Sequence, residues 1–269
     1  MNPLSFINWN VSPEIFSIGG VHVRWYGLLF ALSFVVGYQL ISWMFRREQK
    51  PQRAMDSLTI WMIVGTVVGA RLGHCLFYEP AAYLQNPVEI LMIWKGGLAS
   101  HGAAIGIIIS IYYFSKKYQN LPMLWTLDRL VVVVALAGFF IRLGNLFNSE
   151  IYGHPTDLPW GVVFPSFADP SGLARHPSQV YESIAYLFFF AILLRVYLKN
   201  YKTMNNGYLL SLFLVLIFGA RFLIEFTKEG QASFDDALPI TMGQILSIPF
   251  VCYGVYLYLK TKKQKTEGA

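Results

Sequence analysis

The sequence is short of charge. Only 13% of its 269 residues are Asp, Glu, Lys or Arg, whereas a soluble domain usually carries about a quarter. Because 55% of the residues are hydrophobic, the composition excludes an ordinary soluble domain and predicts an integral membrane protein. No Pro/Ser-rich linker or block of charge divides the chain, so we predict a single transmembrane domain over residues 1–269.

Cysteine is also scarce, and several common motifs are missing. Cys75 and Cys252 lie in apolar runs without CxxC spacing, which favours small buried hydrophobic side chains over a disulfide or a metal pair. The sequence has no metal-ligand spacing, Walker loop or dinucleotide fingerprint, so we expect no metal and no cofactor. The first 24 residues lack the basic region that opens a signal peptide, and we expect them to be retained.

Long apolar runs are what the sequence has instead. A bilayer-spanning helix needs about 20 mostly apolar residues, and seven segments meet this requirement. A further run, Val88–Trp94, is too short to span. The predicted fold is therefore all-α, with seven transmembrane helices and a small extramembrane head segment at Asn148–Pro177. The predicted spans are Trp25–Phe45, Leu58–Tyr78, Leu98–Ser115, Leu130–Phe147, Val180–Leu198, Gly207–Phe226 and Ile240–Leu259.

The basic residues are unevenly distributed among the connecting segments. With seven spans, basic clusters at 46–53, 116–117, 195–202 and 260–265 all fall on one side. The positive-inside rule makes that side cytoplasmic, which places the N-terminus and the head segment outside and the C-terminus in the cytoplasm. The net charge of +6 therefore reflects topology and anionic lipid, and we expect no nucleic-acid partner.

Polar side chains lie near the predicted outer ends of the spans. Ionisable groups inside spans are rare and mark functional sites, so we predict one site in the outer leaflet. One interfacial arginine would simply reach the headgroups, but several inward-facing arginines need an anion. Guanidinium groups bind phosphate in bidentate fashion, and the phosphate at this depth is a phospholipid headgroup. The polar residues are Arg71, Arg142, Arg221, Tyr26, His101, Gln179, Glu182 and Gln244.

Many of these residues stand in motifs of a known family. The stretch RLGNLFNSEIYG, Arg142–Gly153, resembles the signature of bacterial prolipoprotein diacylglyceryl transferase. After RFLIEF the family often has an arginine-rich ending, and here Lys228 stands in for an arginine. Further blocks follow the family's order over most of the chain: RWYGL at 24–28, GARLGHCLFY at 69–78, WKGGLASHGA at 94–103, PTDLPWGVVF at 155–164, RHPSQVYE at 175–182 and RFLIEF at 221–226.

The resemblance implies an enzyme of the bacterial inner membrane whose site faces the periplasmic leaflet. Such an enzyme moves the diacylglyceryl group of phosphatidylglycerol onto the lipobox cysteine thiol of a preprolipoprotein. A thioether forms and glycerol phosphate leaves. The residues alone leave alternatives open: a transporter or scramblase for an anionic lipid, an intramembrane protease, or a lipid-binding scaffold.

The resemblance also implies roles for individual residues. Arg142 and Arg221 are expected to bind the leaving phosphate, and His101 to accept the thiol proton, although a histidine in a membrane also serves as a hydrogen-bonding strut. Glu225 follows Arg221 by four residues and is expected to orient its guanidinium. The remaining expectations are Tyr26 at the headgroup, Asn145 at a phosphate or glycerol oxygen, Glu150 at the glycerol hydroxyls or as a loop anchor, Gly153 in a special turn, Arg71 as a helix–helix tie, and Asn148, Gln179 and Glu182 as supporting residues.

Overall fold

A computed structural model describes residues 6–19, 21–93, 96–97, 99–228 and 240–267. Helices dominate this part of the chain. The α-helices are α1 Trp25–Arg47, α2 Gln52–Phe77, α3 Pro80–Gln85, α4 Ser100–Lys117, α5 Met123–Phe147, α6 Ser178–Asn200, α7 Tyr208–Ile224 and α8 Met242–Glu267, with 3-10 helices at Pro87–Leu91 and Glu225–Thr227. The strands are β1 Ile7–Asn8, β2 Glu14–Ile18, β3 Val21–Arg24, β4 Val162–Val163 and β5 Ala174–Arg175.

Six of the described helices are long and apolar enough to cross a membrane. Each overlaps one of the predicted spans, so a membrane protein with several crossings is confirmed. The other predicted span, Leu98–Ser115, coincides with helix α4, which is not among the six; Leu98 lies outside the described residues. The six helices are Trp25–Arg47, Gln52–Phe77, Met123–Phe147, Ser178–Asn200, the stretch Tyr208–Thr227, and Met242–Gln264.

Two helices begin well before the predicted spans. Helix α2 starts directly after Pro51, whose extended backbone (ψ 132°) precedes the first turn, and not at Leu58. Helix α5 starts at Met123 and not at Leu130. Both added stretches contain polar residues. Hydropathy did not include them, because it marks the apolar part of a helix and not the turns that continue beyond it.

The contacts divide the chain into two compact units. The first consists of residues 1–39 and 130–269, and the second of residues 40–129. Within the first unit, α7 packs against both α6 and α8. Within the second unit, α2 packs along α4.

Glycines allow α2 and α4 to approach closely. Gly65, Gly69 and Gly73 follow one face of α2 at four-residue spacing and meet Gly102 and Gly106 of α4. A Cβ on Gly102 would lie 2.3 Å from the carbonyl oxygen of Gly69, and one on Gly106 would lie 2.1 Å from that of Gly65. Small residues at such an interface let backbones pack directly. Gly102 and Gly106 therefore allow the α2 and α4 backbones to approach closely.

Gly106→Ala should lower the thermal stability of the purified protein, because the added methyl group has no space and overpacking costs about 1–3 kcal/mol. Gly219→Ala is the matched control, since a Cβ at that α7 position meets nothing within 4 Å and alanine favours a helix over glycine. Thermal unfolding in detergent compares the two variants. Equal unfolding temperatures would show that the α2–α4 contact does not depend on glycine.

The first unit also contains a small sheet, with strand order β1-β4-β5. Strand β4 pairs in parallel with β1 and antiparallel with β5. Leu146 at the end of α5 packs with Val162 and Phe164 in a buried cluster. The predicted head segment at 148–177 thus contains β4 and β5 and rests on the end of α5. A separate hairpin of β2 and β3 leads directly into α1.

Candidate active site

In the first unit, the ends of five helices meet at one place. The ring of Tyr26, at the start of α1, lies against Gly144 near the end of α5, where a Cβ would be 2.8 Å from Tyr26 Cδ2. Gln244, at the start of α8, donates from Nε2 to the carbonyl oxygen of Phe222 in α7 at 3.3 Å. Ion pairs join the ends of α5, α6 and α7. The structure therefore brings together Tyr26, Arg142, Asn145, Gln179, Glu182, Arg221, Glu225 and Gln244.

A chain of ion pairs lies at the centre of these helix ends. Arg142 Nε lies 2.8 Å from Glu182 Oε2, and the other oxygen of that carboxylate lies 2.8 Å from Lys228 Nζ. Lys228 Nζ also lies 3.5 Å from Glu225 Oε2. The side chain of Glu182 is 0% exposed, whereas that of Arg142 is 15% exposed. Buried charges are stable only when paired, and here each carboxylate has a cation.

The sequence indicated only a minor role for Lys228, yet this residue is the cation that joins Glu182 to Glu225. Its side chain is only 3% exposed. Its position three residues after Glu225 was visible in the sequence. Its proximity to Glu182, 46 residues earlier in the chain, is a property of the tertiary structure.

Asparagine side chains connect Arg142 to Glu150. Arg142 Nη1 donates to Asn145 Oδ1 at 3.2 Å, and Asn145 Nδ2 donates to Glu150 Oε1 at 2.7 Å. Asn148 Nδ2 donates to the same glutamate oxygen at 3.3 Å, and Gln179 Nε2 donates to the Glu150 carbonyl oxygen at 2.6 Å. These contacts fix the position of Glu150 next to Arg142.

The backbone around Glu150 has an unusual conformation. Ser149 and Ile151 have φ values of 55° and 60°, a left-handed region that is rare for a β-branched residue. Such strain is found at functional sites. Gly153 is not among the glycines with positive φ, so the special turn expected there is made by Ser149 and Ile151 instead.

Gly153 is required for a close contact. Its amide donates to the carbonyl oxygen of His176 at 2.8 Å, and it forms an isolated β-bridge with Lys228. A Cβ at this position would lie 2.1 Å from the carbonyl oxygen of Thr227. Gly153 therefore lets the head segment pack against the backbone that carries Lys228.

The expectation that Glu225 orients the Arg221 guanidinium is not met. Glu225 follows the last residue of α7 with helical backbone geometry, and its amide donates to the Arg221 carbonyl oxygen, but its carboxylate makes no ion pair with the guanidinium among the described residues. Glu225 instead faces Lys228. Within the described residues the half-buried Arg221 makes no ion pair. Arg221 and Arg142 both lie within electrostatic reach of the Tyr186 hydroxyl.

His101 belongs to the second unit, at the start of α4. Its side chain is exposed, and its ring lies 5.5 Å from that of Phe77 and 5.8 Å from that of Tyr78. In the part of the chain that the structure describes, the ring makes no hydrogen bond. This geometry lacks the partners that a strut requires and leaves both ring nitrogens accessible.

Arg71, also in the second unit, has a structural role. The buried guanidinium donates to the carbonyl oxygens of Glu89, Ile90, Gly96 and Gly97, and it stacks over the Tyr83 ring at 4.9 Å. It ties α2 to the 3-10 helix Pro87–Leu91 and to the glycines that follow it. The run Val88–Trp94 overlaps this segment as a 3-10 turn, with Trp94 outside the described residues.

A second charged pair stabilises the head segment. Arg175 hydrogen-bonds to the buried carboxylate of Asp169 and stacks over the Tyr152 ring at 5.0 Å. Ser171 donates to Asp169 Oδ1 at 2.7 Å. The hydrogen bond from Arg175, assisted by Ser171, lowers the pKa of Asp169 below its ordinary value.

Asp169→Asn should lower stability by about 2 kcal/mol at neutral pH, the range for a hydrogen bond to a charged group. The lowered pKa means that the ionised carboxylate stabilises the fold above the unfolded-state pKa of about 3.9, and that this contribution is lost as the pH falls through the lower folded-state value. Thermal unfolding of both proteins from pH 7 towards pH 3 measures the difference. A difference that grows as the pH falls would contradict this account.

Several apolar helices whose polar ends enclose buried arginine, lysine and carboxylate groups define a multi-pass membrane protein with an internal polar site. The ionisable groups at this site are three cations and three carboxylates: Arg142, Arg221, Lys228, Glu150, Glu182 and Glu225. Such groups inside a membrane protein mark function.

The chain belongs to the prolipoprotein diacylglyceryl transferase family, which it matches over residues 13–260, so the resemblance found in its motifs is confirmed. Three relatives are named phosphatidylglycerol–prolipoprotein diacylglyceryl transferase. The one from Chloroherpeton thalassium is 47% identical over 98% of this chain and 97% of the relative. The protein from Tolumonas auensis is 46% identical over 96% and 98%, and that from Porphyromonas gingivalis is 42% identical over 96% and 96%.

Proposed function

We propose that the chain transfers the diacylglyceryl group of phosphatidylglycerol to the lipobox cysteine thiol of preprolipoproteins, the first step of bacterial lipoprotein maturation. The family and the relatives' names support this reaction. The observation that carries it is Arg221, a cation at the end of a membrane-spanning helix that has no carboxylate partner among the described residues. An unpaired guanidinium in such a place favours an anionic ligand.

The proposed chemistry is a displacement at carbon. The cysteine sulfur attacks the glyceryl carbon that carries the phosphate, the C–S bond forms, and the C–O bond to phosphate breaks. Glycerol phosphate leaves with that oxygen and the bonding electrons. Arg142 and Arg221 stabilise the charge that develops on the leaving phosphate. Asn145 and Glu150 bind the glycerol part of the headgroup, and Tyr26 contacts the headgroup.

We further propose seven spans with the N-terminus outside and the C-terminus in the cytoplasm of the inner membrane. Basic residues lie in the last turns of α1, α4 and α6, at Arg46 and Arg47, Lys116 and Lys117, and Lys199. The positive-inside rule favours a cytoplasmic location for all three ends. The five helix ends of the first unit would then open to the periplasmic leaflet, where a lipobox cysteine is exposed.

A transfer assay tests the proposed function. Purified protein is mixed with phosphatidylglycerol and a lipobox peptide, and the peptide mass is followed. The proposal predicts a gain of one diacylglyceryl group on the cysteine and none on a peptide with serine in its place. Lipid movement across vesicles without any mass gain would instead support the transporter or scramblase.

The exchange of His101→Gln tests the proposed base. We propose that the neutral imidazole of His101 accepts the thiol proton, as the resemblance implies. The transfer rate of the wild-type protein should then depend on pH, and the glutamine variant, which cannot accept a proton, should lose both rate and this dependence. A variant with modest loss and the wild-type pH profile would exclude His101 as the base.

A further inference from the structure

Glu182 is a buried carboxylate that contacts two cations from two other elements. It lies in the first turns of the membrane-spanning helix α6 and is 0% exposed. One oxygen faces Arg142 Nε and the other faces Lys228 Nζ, each at 2.8 Å. A carboxylate in this environment costs several kcal/mol unless it is paired, so its presence needs an explanation.

The need to neutralise Lys228 does not explain why a carboxylate is present at position 182. Lys228 has a second carboxylate, that of Glu225, at 3.5 Å. Among the described residues, Arg142 has an ion pair with Glu182 alone. The contact that depends specifically on Glu182 is therefore the one to Arg142.

The Glu182 contact uses one edge of the Arg142 guanidinium. Nε faces Glu182, and Nη1 donates to Asn145 Oδ1 at 3.2 Å. A guanidinium has five N–H donors, so these contacts leave donors for a ligand. Because Arg142 is partly exposed and Glu182 is not, a ligand can reach the arginine without reaching the glutamate.

Another anion can compete for the ion pair between Arg142 and Glu182. The distance between Nε and Oε2 is 2.8 Å, but within the described chain Oε2 accepts no aligned hydrogen bond. Aligned, charge-assisted hydrogen bonds are the strong ones. The interaction of Arg142 with Glu182 is thus mainly Coulombic and competes directly with any anion that approaches Arg142.

We propose that Glu182 is a positioning residue that orients Arg142 and limits how tightly the site holds phosphate. This inference rests on the proposed function. The substrate phosphodiester carries a single negative charge, whereas the glycerol phosphate that leaves carries about two near neutral pH. Without Glu182, Arg142 would have no carboxylate partner among the described residues and would hold this product more tightly. Glu182 supplies the negative charge that weakens product binding and so allows turnover.

Direct titration of glycerol phosphate into the purified protein tests the inference. Glu182→Gln keeps the size of the side chain and leaves Lys228 paired with Glu225. It should bind glycerol phosphate about tenfold more tightly, a change expected for the loss of one nearby charge, with a lower kcat in the transfer assay. Glu182→Asp keeps the negative charge but places it farther from Arg142. Its affinity for glycerol phosphate should lie between those of the wild-type protein and Glu182→Gln.

Glu225→Gln is the matched control, because it removes the same charge from the same cluster without contacting Arg142. It should tighten the binding of glycerol phosphate less than Glu182→Gln does. Unchanged or weaker binding by Glu182→Gln, or equal tightening by Glu225→Gln, would overturn the proposal. If the glutamine variant fails to fold, wild-type affinity in Glu182→Asp would overturn it. The titration needs no transfer, so a wild-type protein that binds glycerol phosphate but transfers nothing overturns the proposed function and not this inference.

Discussion

Arg142→Ala should lower the rate of diacylglyceryl transfer by about 10²–10³-fold, the effect of removing one donor that stabilises charge in a transition state. Arg142 contacts both the buried Glu182 and Asn145. Its loss removes the charge that faces the leaving phosphate. The initial rate of thioether formation on a lipobox peptide measures the effect. Arg142→Lys should recover little activity, because an ammonium group cannot reproduce the two-pronged guanidinium geometry.

Arg195→Ala is the control for Arg142→Ala. Arg195 is exposed and lies in α6 beyond the buried part of the site. Its removal should leave the transfer rate unchanged. Glu182 keeps Lys228 as a partner in Arg142→Ala, so the variant should fold, which thermal unfolding verifies. A folded Arg142→Ala protein within fivefold of the Arg195→Ala rate would contradict the role of Arg142.

Gly153→Ala should have the second large effect. The added Cβ would lie 2.1 Å from the Thr227 carbonyl oxygen and 2.8 Å from the Cβ of His176. Neither backbone can move without opening the bridge between Gly153 and Lys228. We expect a loss of about 2 kcal/mol in stability, together with a fall in transfer rate, because the displaced Lys228 no longer reaches Glu182. Thermal unfolding and the peptide assay measure both.

Gly161→Ala provides a comparison within the same head segment. A Cβ there would meet the Ala174 methyl group at 3.1 Å and the Thr156 methyl group at the same distance, and the threonine side chain can shift slightly. This variant should be close to the wild type in transfer rate. If Gly153→Ala also retained wild-type stability and rate, the close approach of the head segment to Lys228 would be irrelevant to the site.

The sequence predicted those parts of the structure that depend on long, local patterns. Apolar runs of about 20 residues locate membrane helices, and all six candidate spans overlap predicted ones. The polar residues near the predicted ends of α1, α5, α6, α7 and α8 do meet in the first unit. This followed from a general rule, since charged groups in a membrane helix face partners and not lipid.

Contacts between distant or very short elements were not predictable from the sequence. The pair of Glu182 and Lys228 joins residues 46 positions apart, and its formation depends on how α6 and the end of α7 pack. Strands β1, β4 and β5 have two residues each, too few for an alternating pattern. Arg71 binds backbone carbonyls, which every residue has. The carboxylate of Glu225 faces Lys228 and not Arg221, and the sequence places both cations at helical spacing from it.

The most direct test of this account is lipid selectivity. Its central claim is that Arg221 and Arg142 bind the phosphate of phosphatidylglycerol. Arg221 is the better residue to change, because it has no ion pair among the described residues and its removal leaves no carboxylate unpaired. Native mass spectrometry can compare the retention of phosphatidylglycerol with that of a diacylglycerol bearing the same acyl chains.

We expect the wild-type protein to retain phosphatidylglycerol in preference to the diacylglycerol. In Arg221→Gln the ratio of phosphatidylglycerol to diacylglycerol retention should fall about tenfold, the value of one charge-assisted hydrogen bond. Binding of the diacylglycerol should not change. An undiminished preference for phosphatidylglycerol in the variant would contradict the claim that this arginine binds the lipid phosphate.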